Sequence, residues 1–482
     1  MRIAVRETEA FVLNLRARLP FRYGIVTMTR LPHFILRSTV EIDGKLQHGY
    51  AADNLPPKWL TKNPDTTFRQ DLGEILEVIG HAREAALEIG PAESVFNFWR
   101  ALYAVQKSWA GNRLPPLLWN FGVTLLERSV IDAFCRLRRE NFAQAVRENH
   151  LGIHLGEIFG ELGNSQPVEL LPPEPLHHTI VRHTVGLTDA LTEEEIAPGD
   201  RVNDGLPEAL ETYLRTDGIT HLKIKLGGTV EADRARLRRI FALFEKAGRA
   251  CAFTLDGNEN FKAVEPFRQL WESLRADPAL SKALEHLIFV EQPFHRDLAL
   301  APETCAALLE WKDRPPMIID ESDSGVGVLA TALEGGYVGT SHKNCKGVFK
   351  GIANACLLAH RRRLNPGTPL QMSAEDLTNL GPIALTQDLA VLATLGIAHA
   401  ERNGHHYFAG LSQFPEPVQR DMLKLHGDLY REHAAGFPTL RVREGKIAID
   451  SALDVPFGFA GDLEMNQFMR LQDWSIDSLG ID

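Results

Sequence analysis

The amino-acid sequence predicts an α/β protein in which a parallel (β/α) barrel is joined to an α+β domain. Three observations predict it. Between roughly residues 171 and 436, short apolar runs alternate with stretches of helical spacing in about seven or eight successive βα units, a pattern that specifies a parallel sheet covered by helices. Acids and lysines end those apolar runs, as in HLKIKLGG, AFTLDGNEN, LIFVEQPF, MIIDESD and TSHKNCKG, and a barrel carries its chemistry at the C-terminal ends of its strands. A chain of 482 residues has room for a barrel of about 250 residues with a second domain beside it.

Taken in order, the first 50 residues alternate apolar and polar, in AFVLNL and HFILRSTVEIDG, and Asp43-Gly44 punctuates a hairpin. Helical spacing follows from Phe68 to about Gly90 (Leu72, Ile75, Leu76, Ile79, Ala82, Ala86) and again from Leu117 to about Val146. Strands followed by helices make residues 1–170 an α+β domain. NSQPVELLPPEP, between Leu162 and Pro175, is the expected boundary. TIVRHTVGL then opens the barrel of residues 171–436, with strands at 220–226, 252–255, 287–290 and 317–319 and helices at 207–214, 231–246, 263–274 and 299–311. The tail, residues 437–482, contains β-like pieces such as LRVREGKIAID and is expected to pack back on the first domain. A doubly wound sheet is the competing arrangement; it usually carries a Gly-rich phosphate turn, and LGGTVEAD has no GxGxxG.

Composition narrows the function. With a formal net charge of -11 the chain lacks the basic surface that nucleic acid or an anionic membrane requires. No run approaches the roughly 20 apolar residues of a membrane span, and MRIAVRETEAFVLNL lacks the apolar core of a signal peptide, so a cytoplasmic protein is expected. Five cysteines stand far apart with no CxxC pair, which fits reduced thiols. Cys345 lies in the suspected site and reads as a small neighbour of the working lysine, since no activating base is assigned to it.

Asp256, Glu291 and Asp320 each close an apolar strand, on three successive strands. One such acid is readily a helix cap; three converging at one barrel mouth repel each other unless a cation holds them, and hard oxygen ligands suit Mg²⁺ or Mn²⁺. Lys223 and Lys225, two apart on a strand, point to the same side, the barrel interior. Two ammonium groups crowded there are expected to depress each other's pKa and leave one able to act as a base. Two exposed lysines on an edge strand would give the same alternation, and the surrounding acids tilt the reading toward function. TSHKNCKG supplies Lys343 and Lys346, and Lys343 would approach a substrate from the side opposite Lys225.

The succession KIK, LDGNENF, EQPF, DES and a lysine segment resembles the enolase superfamily, in the muconate lactonizing enzyme and dipeptide epimerase branch of the mandelate racemase/muconate lactonizing enzyme family. FRYG at Phe21–Gly24, DGKLQHGYA at Asp43–Ala51 and IDAFCRLRREN at Ile131–Asn141 extend the resemblance into the first domain. It implies a modified TIM (β/α)7β-type barrel with an α+β capping domain formed from the N-terminal region and the C-terminal tail. It further implies that Asp256, Glu291 and Asp320 bind Mg²⁺, that Lys225 and Lys343 are the acid/base pair on opposite faces of a small-molecule carboxylate, and that Lys223 stabilises negative charge. Asn258 matches a polar position of the family.

The sequence departs from the family where Lys346-Gly347 runs into VFKG rather than paired glycines, and Glu321 directly follows Asp320. On the seventh strand PLQMSAED offers Glu375 and Asp376 but no histidine, which counts against the histidine-dependent racemases and dehydratases. His399 and Glu401 on the eighth strand are candidate substrate contacts, as are Arg22 and Arg30 in the first domain. The doublets His405-His406 and His177-His178 read as surface loops, because adjacent strand residues point apart. The expected chemistry is abstraction of a proton α to a carboxylate, giving racemisation, epimerisation or cycloisomerisation. The alternatives are an acid-sugar dehydratase and a non-catalytic barrel, with substrate and any homo-oligomer left open.

Overall fold

The computed structural model describes residues 1–481. The chain opens with an antiparallel meander of β1 (Ile3–Tyr23), β2 (Val26–Ile42) and β3 (Lys45–Asn54). The β2–β3 turn is Asp43-Gly44, with φ of 49° and 81°, the left-handed pair a two-residue hairpin turn demands. In the β1–β2 ladder the register shifts between Arg16 and Phe21, so four β1 residues oppose one on β2 and the hairpin tip bends away from the sheet.

Three helices pack on this sheet: α1 (Phe68–Glu88), α2 (Val95–Ala110) and α3 (Pro116–Arg138). Thr67 starts α1 with a reciprocal capping box to Gln70, and Ser94 caps α2. The helix expected to run from Leu117 to Val146 stops at Arg138. Arg139 turns left-handed, and the chain re-enters a short helix, Phe142–Arg147, capped by Asn141. Helix α2 had no counterpart in the sequence reading. Gly49 of β3 is required by packing, since a Cβ there would stand 2.0 Å from the Ser129 carbonyl of α3.

Eight strands, β4 (His178–Val185), β5 (His221–Lys225), β6 (Ala252–Asp256), β7 (Leu287–Glu291), β8 (Met317–Ile319), β9 (Gly339–His342), β10 (Gln371–Ala374) and β11 (His399–Glu401), pair in parallel with their chain neighbours. Pairing of β11 with β4, Glu401 opposite Arg182, closes the barrel. Helices such as Val230–Lys246, Val264–Arg275 and Val348–Leu364 cover it. The architecture is the expected closed barrel with a separate antiparallel cap. The tail divides its contacts: Lys446–Ala448 pairs with the first half of β4, whereas from Phe457 onward the chain reaches the cap, where Arg136 of α3 donates to the Phe459 carbonyl at 2.6 Å, Arg470 lies opposite Phe11 and Trp474 donates to Asn14 at 2.8 Å. No helix among the described residues is long and apolar enough to cross a membrane.

The cap is seated on the barrel by buried polar contacts. Glu127 of α3 accepts from the backbone N–H of Val348 (3.0 Å) and Phe349 (2.7 Å), the free N-terminus of the helix that follows β9. Within the cap, beside this contact, Arg128 of α3 pairs with Asp53 of β3 at 2.8 Å, both fully buried. Next to it Asn54 donates to the carbonyls of Leu377 and Thr378, beyond β10, and contacts His33 at 2.8 Å.

Burial outweighs that Asn54 contact and lowers the His33 pKa from 6.5 to about 4. A histidine kept neutral in the fold takes its proton first in the unfolded chain, so stability is lost as pH falls from 6.5 towards 4. The loss expected from His33 is on the order of 3 kcal/mol. Urea titrations from pH 7 to pH 4 should show a smaller loss in His33→Gln than in wild type, and superimposable profiles would contradict the assignment.

Candidate active site

Alternation along β5 buries Leu222 and Ile224 on the outer face and turns Lys223 and Lys225 into the barrel, both buried. Asp256, Glu291 and Glu401 are the last residues of β6, β7 and β11; Asp320, Lys343 and Glu375 directly follow β8, β9 and β10. Seven of the eight strands therefore deliver a charge to one mouth.

Lys223 lies at the centre of the acids, with its Nζ 3.0 Å from Asp256, 3.0 Å from Glu291, 2.6 Å from Glu375 and 3.1 Å from Glu401. Burial alone would lower its pKa, but these four carboxylates outweigh burial and hold the ammonium well above its ordinary value. The expected mutual depression by Lys225 is thus reversed for Lys223. Lys225 donates to Asp256 Oδ2 at 2.6 Å. Lys343 donates to both oxygens of Asp320 at 2.8 Å and to Glu375 at 2.7 Å, with its Nζ 5.0 Å from the Trp59 ring centre. Against the pull of burial, Asp320 and Glu375 keep the Lys343 ammonium well above its usual range. Lys346 lies on the same acid, 2.6 Å from Asp320 Oδ1.

The acids divide in the same way. Burial would raise Asp256, yet Lys223 and Lys225 bring it down to about 2. Glu375 is also driven low, against burial, by Lys223, Lys343 and Arg182. Glu291 goes the other way, raised by burial and by the charge of Glu375, and Glu321 is pushed up to about 8 by burial and by Asp320.

One oxygen each from Glu291, Asp320 and Glu375 falls within a 4.8 Å group. The sequence reading expects Asp256 as the third ligand; in the structure Glu375, from beyond β10, meets this spacing with Glu291 and Asp320, while both β5 lysines bind Asp256. The donor set suits a hard divalent cation. All three groups are buried carboxylates, and Glu291 Oε1 has no hydrogen-bond partner, while its Oε2 lies 3.0 Å from the Lys223 ammonium.

Backbone strain marks the rim. Asn258, Glu259 and Gln292 have φ of 44°, 62° and 33°, left-handed values rare for side-chain-bearing residues. Asn258 N–H donates to Asp256 Oδ1 at 2.8 Å. Gln292 Oε1 accepts from the N–H of Asp320 (2.8 Å) and Ser322 (3.1 Å), fixing the turn that presents Asp320.

The cap roofs the mouth with Phe21, Tyr23, Met28, Pro56 and Trp59. The hairpin tip is tied down by Arg18, paired with Asp204 at 2.5 Å and donating to His406 O at 3.1 Å. The Trp59 loop is tied down by Arg296, which bonds Glu259 at 2.8 Å and the carbonyls of Trp59 and Leu60, and by Lys62 on Asn258 O at 2.5 Å.

Lys223, Lys225, Asp256, Asn258, Asp320, Lys343, Glu375 and Glu401 all line this one cavity, and Glu291 lies fully buried beside them. Arg22 does not: it is exposed, because alternation on β1 turns its neighbours Phe21 and Tyr23 inward. Arg30 binds the Leu479 carbonyl at 2.8 Å. His399 is also excluded from the cavity. It sits two residues below Glu401 on β11, one layer deeper, 3.2 Å from Arg182 and stacked on His221. His405 and His406 are buried rather than on a surface loop, because the chain beyond β11 folds inward over β4: His405 meets His183 at 3.1 Å and His406 meets the Tyr213 hydroxyl at 2.7 Å. His177 stays exposed beside Asp450, and burial pushes the Cys345 thiol well above its ordinary pKa.

Two features escaped the sequence reading. Arg182 lies beneath the site, 2.8 Å from Glu375, and its only signal was an arginine inside the apolar run TIVRHTV. The apolar character of the roof is the other: the resemblance points to cap loops around 22–30 and 51–59 as the source of specificity, but not to which of their side chains face the cavity.

No protein-family model matches the chain, and no curated protein matches it significantly. Solved structures do. An N-succinyl Arg/Lys racemase from Bacillus cereus aligns over 95% of this chain and 98% of its own, with 15% identity and a TM-score of 0.57. A muconate lactonizing enzyme from Pseudomonas fluorescens, complexed with muconolactone, aligns over 96% and 98%, at 15% identity and a TM-score of 0.58. An enolase from Bradyrhizobium, complexed with magnesium and mandelic acid, aligns over 93% and 94%, at 15% identity and a TM-score of 0.54. The chain shares the fold of these enzymes. The likeness spans cap and barrel together.

Proposed function

We propose that the chain is an enzyme that removes the proton α to a substrate carboxylate and returns one, as a racemase, epimerase or cycloisomerase dependent on Mg²⁺ or Mn²⁺. The observation that carries this reading is the placement of Lys225 and Lys343. They belong to β5 and β9, four steps apart in a closed ring of eight strands and hence on opposite sides of the mouth, and both line the same cavity. That two-sided arrangement also counts against a non-catalytic barrel.

Glu291 and Asp320, with Asp256 or Glu375 as the third carboxylate, would hold the cation. A bound divalent cation supplies positive charge for the substrate oxygens as the α-carbon loses its proton. Lys225, when neutral, accepts that proton on one face; Asp256, 2.6 Å away, aligns it. Lys343, kept protonated by Asp320 and Glu375, delivers a proton from the other face. Lys223 places its ammonium among the acids, where it offsets the negative charge that develops.

A second reading, β-elimination by a dehydratase, draws on the same protonated Lys343, which would serve as the acid for a leaving hydroxyl. Product analysis separates them: an inverted stereoisomer in one case, a keto acid in the other. The test of the primary reading is NMR-monitored exchange of the α-proton with D2O across acid sugars, dipeptides and N-acylamino acids. Exchange is expected with Mg²⁺ and should disappear with a chelator. Absence of exchange from every acid in the presence of Mg²⁺ would reject it.

A further inference from the structure

All five cap residues facing the cavity, Phe21, Tyr23, Met28, Pro56 and Trp59, are apolar or aromatic. Phe21 and Met28 are cross-strand partners at the bent hairpin tip. The Tyr23 hydroxyl donates away to the Pro57 carbonyl at 2.7 Å, leaving its ring as the surface presented. We infer that the substrate is a monocarboxylate whose distal portion is apolar, an alkyl or aryl group seated under Phe21, Tyr23, Met28 and Trp59. The inference rests on the proposed reading of the site as one that binds a carboxylate at its floor.

Three other distal groups are disfavoured by what surrounds the roof. A second carboxylate needs a cation, and the rim cations are committed: Arg18 to Asp204, Lys58 to Asp71, Lys62 and Arg296 to Glu259, and Arg402 to Asp376. Arg22 is exposed outside the cavity. A polyol needs a partner for each hydroxyl, since a buried unpaired polar group costs about 1–3 kcal/mol. The wall donors Asn403 and Thr378 already bond Glu401 and the Leu377 carbonyl, and the unpartnered buried acceptors of the lining, Asn403 Oδ1 and Glu321 Oε2, are two for a chain of several hydroxyls. A distal cation would have to approach aromatic faces already in use, Trp59 by the Lys343 ammonium and Phe21 by the Tyr407 ring at 4.1 Å.

A six-carbon series isolates the distal group: hexanoate, adipate, 6-aminohexanoate and gluconate, titrated calorimetrically into the protein supplied with Mg²⁺. Hexanoate is expected to bind about tenfold tighter or more than each of the others. Trp59→Ala should narrow that margin, with circular dichroism reporting that the variant is folded. Adipate, 6-aminohexanoate or gluconate binding as tightly as hexanoate to wild type overturns the inference, as does an undiminished margin in folded Trp59→Ala. The catalytic reading is tested separately by exchange. A hexanoate preference without α-proton exchange from any acid upholds the roof and rejects the chemistry, whereas exchange confined to acid sugars or dicarboxylates does the reverse.

Discussion

Lys225→Ala is expected to lower α-proton exchange from one substrate configuration by about 10³-fold, the scale on which a positioned acid or base contributes. Lys343→Ala should do the same for the opposite configuration. The argument is the ring geometry: β5 and β9 face each other across the mouth, so each lysine reaches one face of a bound acid. Loss of Lys225 leaves Asp256 paired with Lys223 at 3.0 Å, and loss of Lys343 leaves Asp320 paired with Lys346 at 2.6 Å. Neither substitution strands a buried carboxylate without a cation, so both variants should melt near wild type. Exchange measured separately on the two enantiomers of one substrate decides it. Equal losses on both enantiomers in Lys225→Ala would contradict the two-face assignment.

Arg128→Met should destabilise the protein by about 3–5 kcal/mol, the cost of leaving a buried charge unpaired. Arg128 Nη2 bonds Asp53 at 2.8 Å, and Nη1 and Nε bond the carbonyls of Ala52 (2.8 Å) and Thr124 (3.1 Å), with no exposure of either partner's side chain above 1%. Asp53 Oδ1 has no hydrogen-bond partner, so the carboxylate's tie to a cation rests on Oδ2 and Arg128. Asn54 follows directly and carries the cap's bonds to the loop beyond β10, so loosening here should also reach the loop that presents Glu375. The double variant Arg128→Met/Asp53→Asn should recover part of the loss. Urea unfolding provides the measurement, and an Arg128→Met stability within about 1 kcal/mol of wild type would count against the pair's role.

The sequence by itself determined the barrel and the identity of the charges at its mouth. Both are local properties. A period of two on β5 turns Lys223 and Lys225 to one face, and an acid directly after an apolar run marks a strand end, so Asp256, Glu291 and Asp320 were legible within windows of a few residues. Asp43-Gly44 was legible for the same reason, as a turn signal two residues long. Arg22 was misplaced by ignoring that same alternation, which puts Phe21 and Tyr23 inside instead.

Only the tertiary structure decided which charges meet. Asp256 and Glu291, joined by Glu375 and Glu401 from 152 and 178 residues away along the chain, outweigh burial and reverse the sign of the expected Lys223 pKa shift. Glu375 joined Glu291 and Asp320 because the ring of strands closed, and His405 and His406 went inside because the chain beyond β11 folds back over β4. The roof is likewise non-local: a hairpin tip and a loop from the cap are latched by Arg18, Lys62 and Arg296 over the strand ends. Strand periodicity says which way a side chain faces. Barrel closure and cap docking, set by packing between distant segments, decide what it faces.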